Sequence, residues 1–167
     1  EYDNKIPSNL TAEQILVRSG NIGSVRIAQK VGSEKFKLFL ENLGILSNIE
    51  FDIDEVAPQK NYDFGKCRLA TASFGHGIAT TILQLAKGYA ILSNGGYEIK
   101  PTLIYKKNEI NKKNKRILNK GISKKVVNAL RKIVNTEEGT AKFADVQSYE
   151  IGGKTGTADQ PESGTYS

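Results

Sequence analysis

The chain has 167 residues, 38% apolar and 25% charged, with a net charge of +6. That length allows one domain with a real core, and the composition is ordinary for a soluble globular protein. No uncharged apolar run reaches the ~18 residues of a membrane span, and no basic N-region with an apolar block opens the chain as a signal peptide.

The first element is announced by Thr11 and Gln14, the spacing of a capping box, ahead of Ile15, Leu16 and Val17. A short helix is expected over about 12–18. "SGN", residues 19–21, interrupts it, and a second helix is expected over 22–31, stopped by Gly32. Ser33 is placed to cap a third, in which Phe36, Phe39, Leu40 and Leu43 form an apolar stripe that ends at Gly44. Residues 45–79 read as irregular, with Pro58, Gly65 and the turn-rich "SFGHG" at 73–77. The lone Cys67 has no internal disulfide partner and reads as a small core filler, while the single histidine, His76, lies in that glycine-rich turn.

Thr80 or Thr81 is placed to cap "ILQLAKGYAILS", which is apolar almost all round and so predicts a buried helix ended by "NGG" at 94–96. "YEIKPTLIYK", 97–106, has the alternation of a strand that Pro101 confines to an edge or a bulge, and "RILN" is its expected partner. The intervening "KKNEINKKNKR", 106–116, holds six positive residues and one negative, the source of most of the net charge. No aromatic residue is interleaved to stack on bases and no nucleic-acid motif surrounds it, so it reads as a solvated basic loop, with an acidic polymer or a membrane surface as lesser alternatives. Ser123 is expected to open a last helix bearing Val126, Val127, Leu130, Ile133 and Val134 on one face. "EEGTA" at 137–141 is expected as a turn, and "YEIGGKTGTA" at 149–158 as a strand.

That strand sets Lys154 among glycines and hydroxyl residues, which suits a site for an anion. A phosphate loop fails on two counts: its first glycine would stand at position 148, where the chain has Ser148, and "GTADQPESG" follows where a helix should open. A Lys-Thr-Gly strand of the serine enzymes that react with penicillin fits better. Lys154 supplies a long-reach cation and Thr155 a hydroxyl donor for a carboxylate. Gly156 permits close backbone approach, and the Thr157 N–H is available to a developing oxyanion.

Those enzymes also need a Ser-x-Asn element, which Ser19, Gly20 and Asn21 provide between two helices. Together with "ILVRSGNIGSVRIAQKVG", "SFGHGIATTILQLAKGYAILSNGG" and "GTAKFA…IGGKTGTA", these motifs resemble class B penicillin-binding proteins, the peptidoglycan D,D-transpeptidases, over nearly the whole chain. "SFGHG" leans toward the septal, division type. The resemblance implies an α+β fold: the helix-rich part of a penicillin-binding/β-lactamase-like transpeptidase domain, with its Lys-Thr-Gly edge strand but lacking most of the central antiparallel sheet. It implies that Ser19 passes a proton toward the leaving amine, that Asn21 bonds the peptide amide, and that Lys154 and Thr155 hold the carboxylate. The Thr157 N–H would form half of an oxyanion hole. The expected partners are peptidoglycan stem peptides, β-lactam antibiotics and other cell-wall synthesis or division proteins, without nucleic acid, metal or organic cofactor. The expected location is an inner membrane, with this domain facing the periplasm. Taken singly, Ser19 and Asn21 could merely cap the following helix, and Thr155 could be an ordinary strand residue.

The pattern breaks at the nucleophile. Acylation requires Ser-x-x-Lys, with both side chains on one helix face, and no serine here has lysine three places on: Ser19 has Ile22, Ser33 has Phe36, Ser73 has His76 and Ser123 has Val126. With no methionine in the chain, 1–167 is expected to be a piece of a transpeptidase domain that lacks the nucleophile region and the C-terminal strands and helix. The 149–158 strand, short of its family neighbours, is then expected to be poorly ordered or to pair with another chain. The rival readings are a β-lactamase or D,D-carboxypeptidase, a β-lactam sensor domain, and a basic interaction domain in which the motifs are coincidental.

Overall fold

Six α-helices and a helical turn carry the chain, in a computed structural model that describes residues 7–53, 62–105, 114–156, 161–162 and 165–166. Helix α1 (Ala12–Val17) starts on the expected capping box, the Gln14 N–H donating to Thr11 Oγ1 at 3.2 Å and the Thr11 N–H to Gln14 Oε1 at 2.9 Å. Helix α2 (Asn21–Val31) ends at Gly32, whose φ of 85° suits glycine. Gly32 is also the N-cap of α3 (Ser33–Asn42), so Ser33 is the first helical residue and not the cap. Phe36, Leu40 and Leu43 turn inward as the stripe predicted, whereas Phe39 is largely exposed.

The stretch expected to be irregular holds a helix, α4 (Lys66–Ala72). Its seven residues are too few to show a period, yet Leu69 and Ala72 enter the core with Ala28, Tyr62 and Phe64. Phe36 packs edge-on to Phe64 with ring centroids 5.5 Å apart. Cys67, expected as a core filler, is exposed, because Leu69 and Ala72 occupy the inward positions of its helix.

Helix α5 (Ile82–Ser93) begins at Thr81 with a second capping box, but it is not buried all round. Ile82 is 89% exposed while Gln84 is 2% exposed. The capping box turns Gln84 inward, where its amide donates to the Ser47 carbonyl at 2.8 Å and its oxygen accepts from the Thr81 N–H at 2.8 Å. Satisfied at both ends, this polar side chain takes a core position that hydropathy assigns to leucine or isoleucine. The expected 97–106 strand reduces, among the described residues, to an antiparallel bridge between Tyr97 and Arg116. The pairing with 116–119 is therefore present at its base: the Ile117 N–H donates to the Gly96 carbonyl at 2.7 Å. Further on, Asp52 replaces a strand partner, accepting from the Leu103 N–H at 2.6 Å and from Thr102 Oγ1 at 2.7 Å. Most of the basic loop, 106–113, lies outside the described residues.

Helix α6 (Lys120–Asn135) is capped by Asn119 and not by Ser123. Ser123 sits inside the helix at 2% exposure and ties it to the end of α5, donating to the Leu92 carbonyl at 2.6 Å and accepting from the Gly95 N–H at 3.2 Å. Ile133 and Val134 are buried as expected, with Ala129; Val127 is partly exposed. Both α1 and α5 pack on α6. The 137–141 segment is the expected turn, and a 3-10 helix (Lys142–Ala144) follows. Strands β1 (Pro161–Glu162) and β2 (Thr165–Tyr166) pair antiparallel as a two-rung hairpin.

The described part of the expected 149–158 strand, 149–156, carries no ladder. It is held against α6 instead: the Gly153 N–H donates to the Leu130 carbonyl at 3.2 Å, and the Arg131 guanidinium donates to the Ile151 carbonyl at 2.9 Å. The helix thus holds, within the same chain, a segment that was expected to be poorly ordered or to pair with another chain.

Candidate functional site

The site begins with the way α1 stops. The Gly20 N–H donates to the Ile15 carbonyl at 2.9 Å and the Ser19 N–H to the Leu16 carbonyl at 3.1 Å, the paired bonds of a Schellman motif. Ser19 occupies the left-handed position that glycine ordinarily takes, with φ of 56°. The next helix then starts on Gly20, and no side chain caps it. Neither Ser19 nor Asn21 is therefore the helix cap that a purely local reading would make of it. Asn21 is the first residue of α2, is exposed, and makes no side-chain hydrogen bond among the described residues.

Lys154 closes on this corner. Its ammonium donates to Ser19 Oγ at 2.6 Å, to the Thr155 carbonyl at 3.0 Å and to Thr155 Oγ1 at 3.1 Å. The three acceptors take the three donors that a lysine has. All three are neutral, and Lys154 forms no ion pair among the described residues. The side chain is half-buried, and burial pushes its pKa below the ordinary lysine range. A desolvated cation ringed by neutral oxygens favours an incoming anion, which would restore the lost solvation.

Helix α6 and the turn after it hold both sides of this contact. On the Ser19 side, Lys132 pairs with Glu13 at 2.5 Å, and Arg18 pairs with Glu138 at 2.7 Å. On the Lys154 side stand the Leu130 and Arg131 bonds already described, and Thr140 Oγ1 lies 3.0 Å from Thr155 Oγ1. Arg131 is itself held by Asp145 at 2.7 Å. The turn packs closely on the end of α6: the Ala141 N–H donates to the Ile133 carbonyl at 3.1 Å, and a Cβ on Gly139 would fall 2.1 Å from that same oxygen.

Of the residues singled out from sequence, Ser19, Lys154 and Thr155 are brought together. Asn21 follows two places after Ser19 at an exposed helix start. Gly156 is exposed, and a Cβ there would meet none of the described atoms within 4 Å. Thr157 lies outside the described residues. Arg18, Glu138, Arg131 and Thr140 were not foreseen: the motifs, the helix stripe and the turn "EEGTA" that contain them say nothing of a reach from the turn to residues over a hundred positions away. Among the described residues, no three His, Cys, Asp or Glu side chains converge as metal ligands, and no helix is long and apolar enough to cross a membrane. Cavities of about 590 and about 570 Å³ lie elsewhere, beside α3 with Tyr62 and Phe64, and between Leu10 and α2. The Ser19–Lys154 contact is singled out by its chemistry and not by enclosed volume.

Comparison with known proteins converges on one family. The family model described as "Penicillin binding protein transpeptidase domain" matches residues 1–167. The chain is 30% identical to "Peptidoglycan D,D-transpeptidase FtsI homolog" of Mesostigma viride, over 96% of this chain and 31% of that protein. It is also 30% identical to "Probable peptidoglycan D,D-transpeptidase FtsI" of Caulobacter vibrioides, over 90% of this chain and 26% of that protein. It therefore spans about a third or less of these curated relatives. Its fold superposes with a TM-score of 0.82 on the apo transpeptidase domain of penicillin-binding protein 3 from Burkholderia pseudomallei, at 24% identity, covering 95% of this chain and 48% of that one. The helix-rich fold, the two meeting motifs and the family match over its whole length agree: the chain belongs to the penicillin-binding protein transpeptidase family.

Proposed function

We propose that this chain is part of a serine D,D-transpeptidase that cross-links peptidoglycan stem peptides through an acyl-enzyme and is acylated by β-lactams. The observation that carries the reading is the Lys154 ammonium on Ser19 Oγ at 2.6 Å, a cation with neutral partners beside exposed hydroxyl and amide groups. Lys154 and Thr155 hold the terminal carboxylate of the acyl donor, and Asn21 bonds the peptide amide. Ser19, with Lys154 as its proton relay, returns a proton to the leaving amine. The Thr157 N–H contributes to the oxyanion hole and Gly156 gives the ligand backbone room. The serine nucleophile comes from outside 1–167, because no Ser-x-x-Lys lies within it.

The division-type enzyme is favoured by FtsI names among the relatives; "Stage V sporulation protein D" of Bacillus subtilis, 27% identical, keeps a related role in view. The protein acts in the cell envelope, anchored in the inner membrane with this domain in the periplasm, beside other cell-wall synthesis proteins. A fluorescent penicillin tests the reading. The intact parent protein should take one covalent label that survives denaturation, Lys154→Ala should lose most of it, and the isolated 167-residue chain should take none. An intact parent that stays unlabelled, or full labelling of the Lys154→Ala variant, would refute it.

A further inference from the structure

Among the described residues Thr155 Oγ1 has two hydrogen-bonding neighbours, and their chemistry constrains where its proton can go. Lys154 has no lone pair on its ammonium, so it can only donate to Thr155, which fills one of the two acceptor positions of that hydroxyl. The second neighbour is Thr140 Oγ1 at 3.0 Å, where either oxygen can be the donor. If Thr155 donates, its only proton is spent inside the protein and none remains for a ligand. If Thr140 donates, both acceptor positions of Thr155 are filled and its proton must point outward, into the space in front of Lys154.

The geometry points to Thr140 as a positioning residue that donates to Thr155 and so aims the Thr155 hydroxyl at a substrate carboxylate; this rests on the carboxylate-binding reading given above. An anion in front of Lys154 selects this state, since it needs a donor from Thr155, and the proton of Thr140 then serves as the prop. Thr140 is well placed for such a role. Its turn packs at Gly139 against the Ile133 carbonyl, and the adjoining Glu138 accepts from Arg18 next to Ser19, so one turn touches both sides of the site.

The test uses the intact parent protein, with acylation by benzylpenicillin measured over a range of concentrations. Thr140→Val keeps the shape and removes the donor. It should weaken the initial binding of penicillin about fivefold, the size of one neutral hydrogen bond, and leave the limiting acylation rate unchanged. Thr140→Ser should restore wild-type binding. The methyl ester of the same penicillin keeps the β-lactam but has no carboxylate, so its initial binding, measured in the same way, should be equal for Thr140→Val and the wild type. A valine variant that matches the wild type toward penicillin would overturn the proposal. So would equal weakening toward acid and ester, which would make Thr140 merely structural. A wild-type parent that is not acylated at all would instead strike the underlying reading, a result that the variants do not enter.

Discussion

Replacing Ser19 separates what the residue does for the fold from what it does at the site. Ser19 is held at φ of 56° by the Schellman bonds that end α1. A side chain in this left-handed region costs roughly 1–2 kcal/mol, and glycine avoids that cost. Glycine also loosens the unfolded chain, which returns about 0.5–1 kcal/mol to the denatured state. Ser19→Ala and Ser19→Gly both remove the hydroxyl and its bond to Lys154, so their difference isolates the backbone. Ser19→Gly should be the more stable by about 1 kcal/mol, even though alanine is the better residue in most contexts. Urea unfolding of the 167-residue chain reads this as a midpoint about 0.3–1 M higher for glycine, with equal slopes. Yet both variants should abolish transfer by the intact parent to a similar degree. If Ser19→Ala equals or exceeds Ser19→Gly in midpoint, Ser19 is not in the left-handed position and the account of the corner is wrong.

Burial holds the Lys154 pKa below that of an exposed lysine, so the unfolded chain binds this proton more tightly than the fold does. Stability contributed at this position should therefore rise with pH between the folded and the unfolded pKa, and the lysine is a cost while charged. A nitrogen-15 titration of Lys154 should show a midpoint below about 10.4, moving up when a carboxylate ligand binds; a free-protein midpoint at or above that value would contradict the burial argument. Gly139→Ala should destabilise the fold by about 2–3 kcal/mol, because its Cβ would fall 2.1 Å from the Ile133 carbonyl oxygen, which must shift along with the Ala141 bond that it accepts. A melting temperature equal to wild type would show that the turn can move and is no rigid prop.

Much of the helical scaffold was legible because its signals are local. The Thr11–Gln14 and Thr81–Gln84 boxes, the stop at Gly32 and the apolar spacing of α6 each lie within one or two turns of chain. The meeting of Ser19 with Lys154 could be expected only through family resemblance, since no periodicity links residues so far apart. What failed did so where a tertiary partner overrode the local pattern. Asp52 takes the N–H of Leu103 and leaves 97–105 without a ladder, and α6 takes the N–H of Gly153 in place of a strand. Gln84 enters the core because Ser47 and its own cap satisfy it, which hydropathy cannot register. The prop at Thr140 was invisible for the same reason: a threonine in a turn looks like turn chemistry until its neighbour across the site is known.

The most direct test of the central claim is a crystal structure of the intact parent acylated by a penicillin. The carboxylate should lie within hydrogen-bond distance of Thr155 Oγ1, in front of Lys154, with the Lys154 ammonium still on Ser19 Oγ. A carboxylate bound by other residues, with Ser19 and Lys154 apart, would contradict a single anion site built from the Ser-Gly-Asn corner and the Lys-Thr-Gly segment.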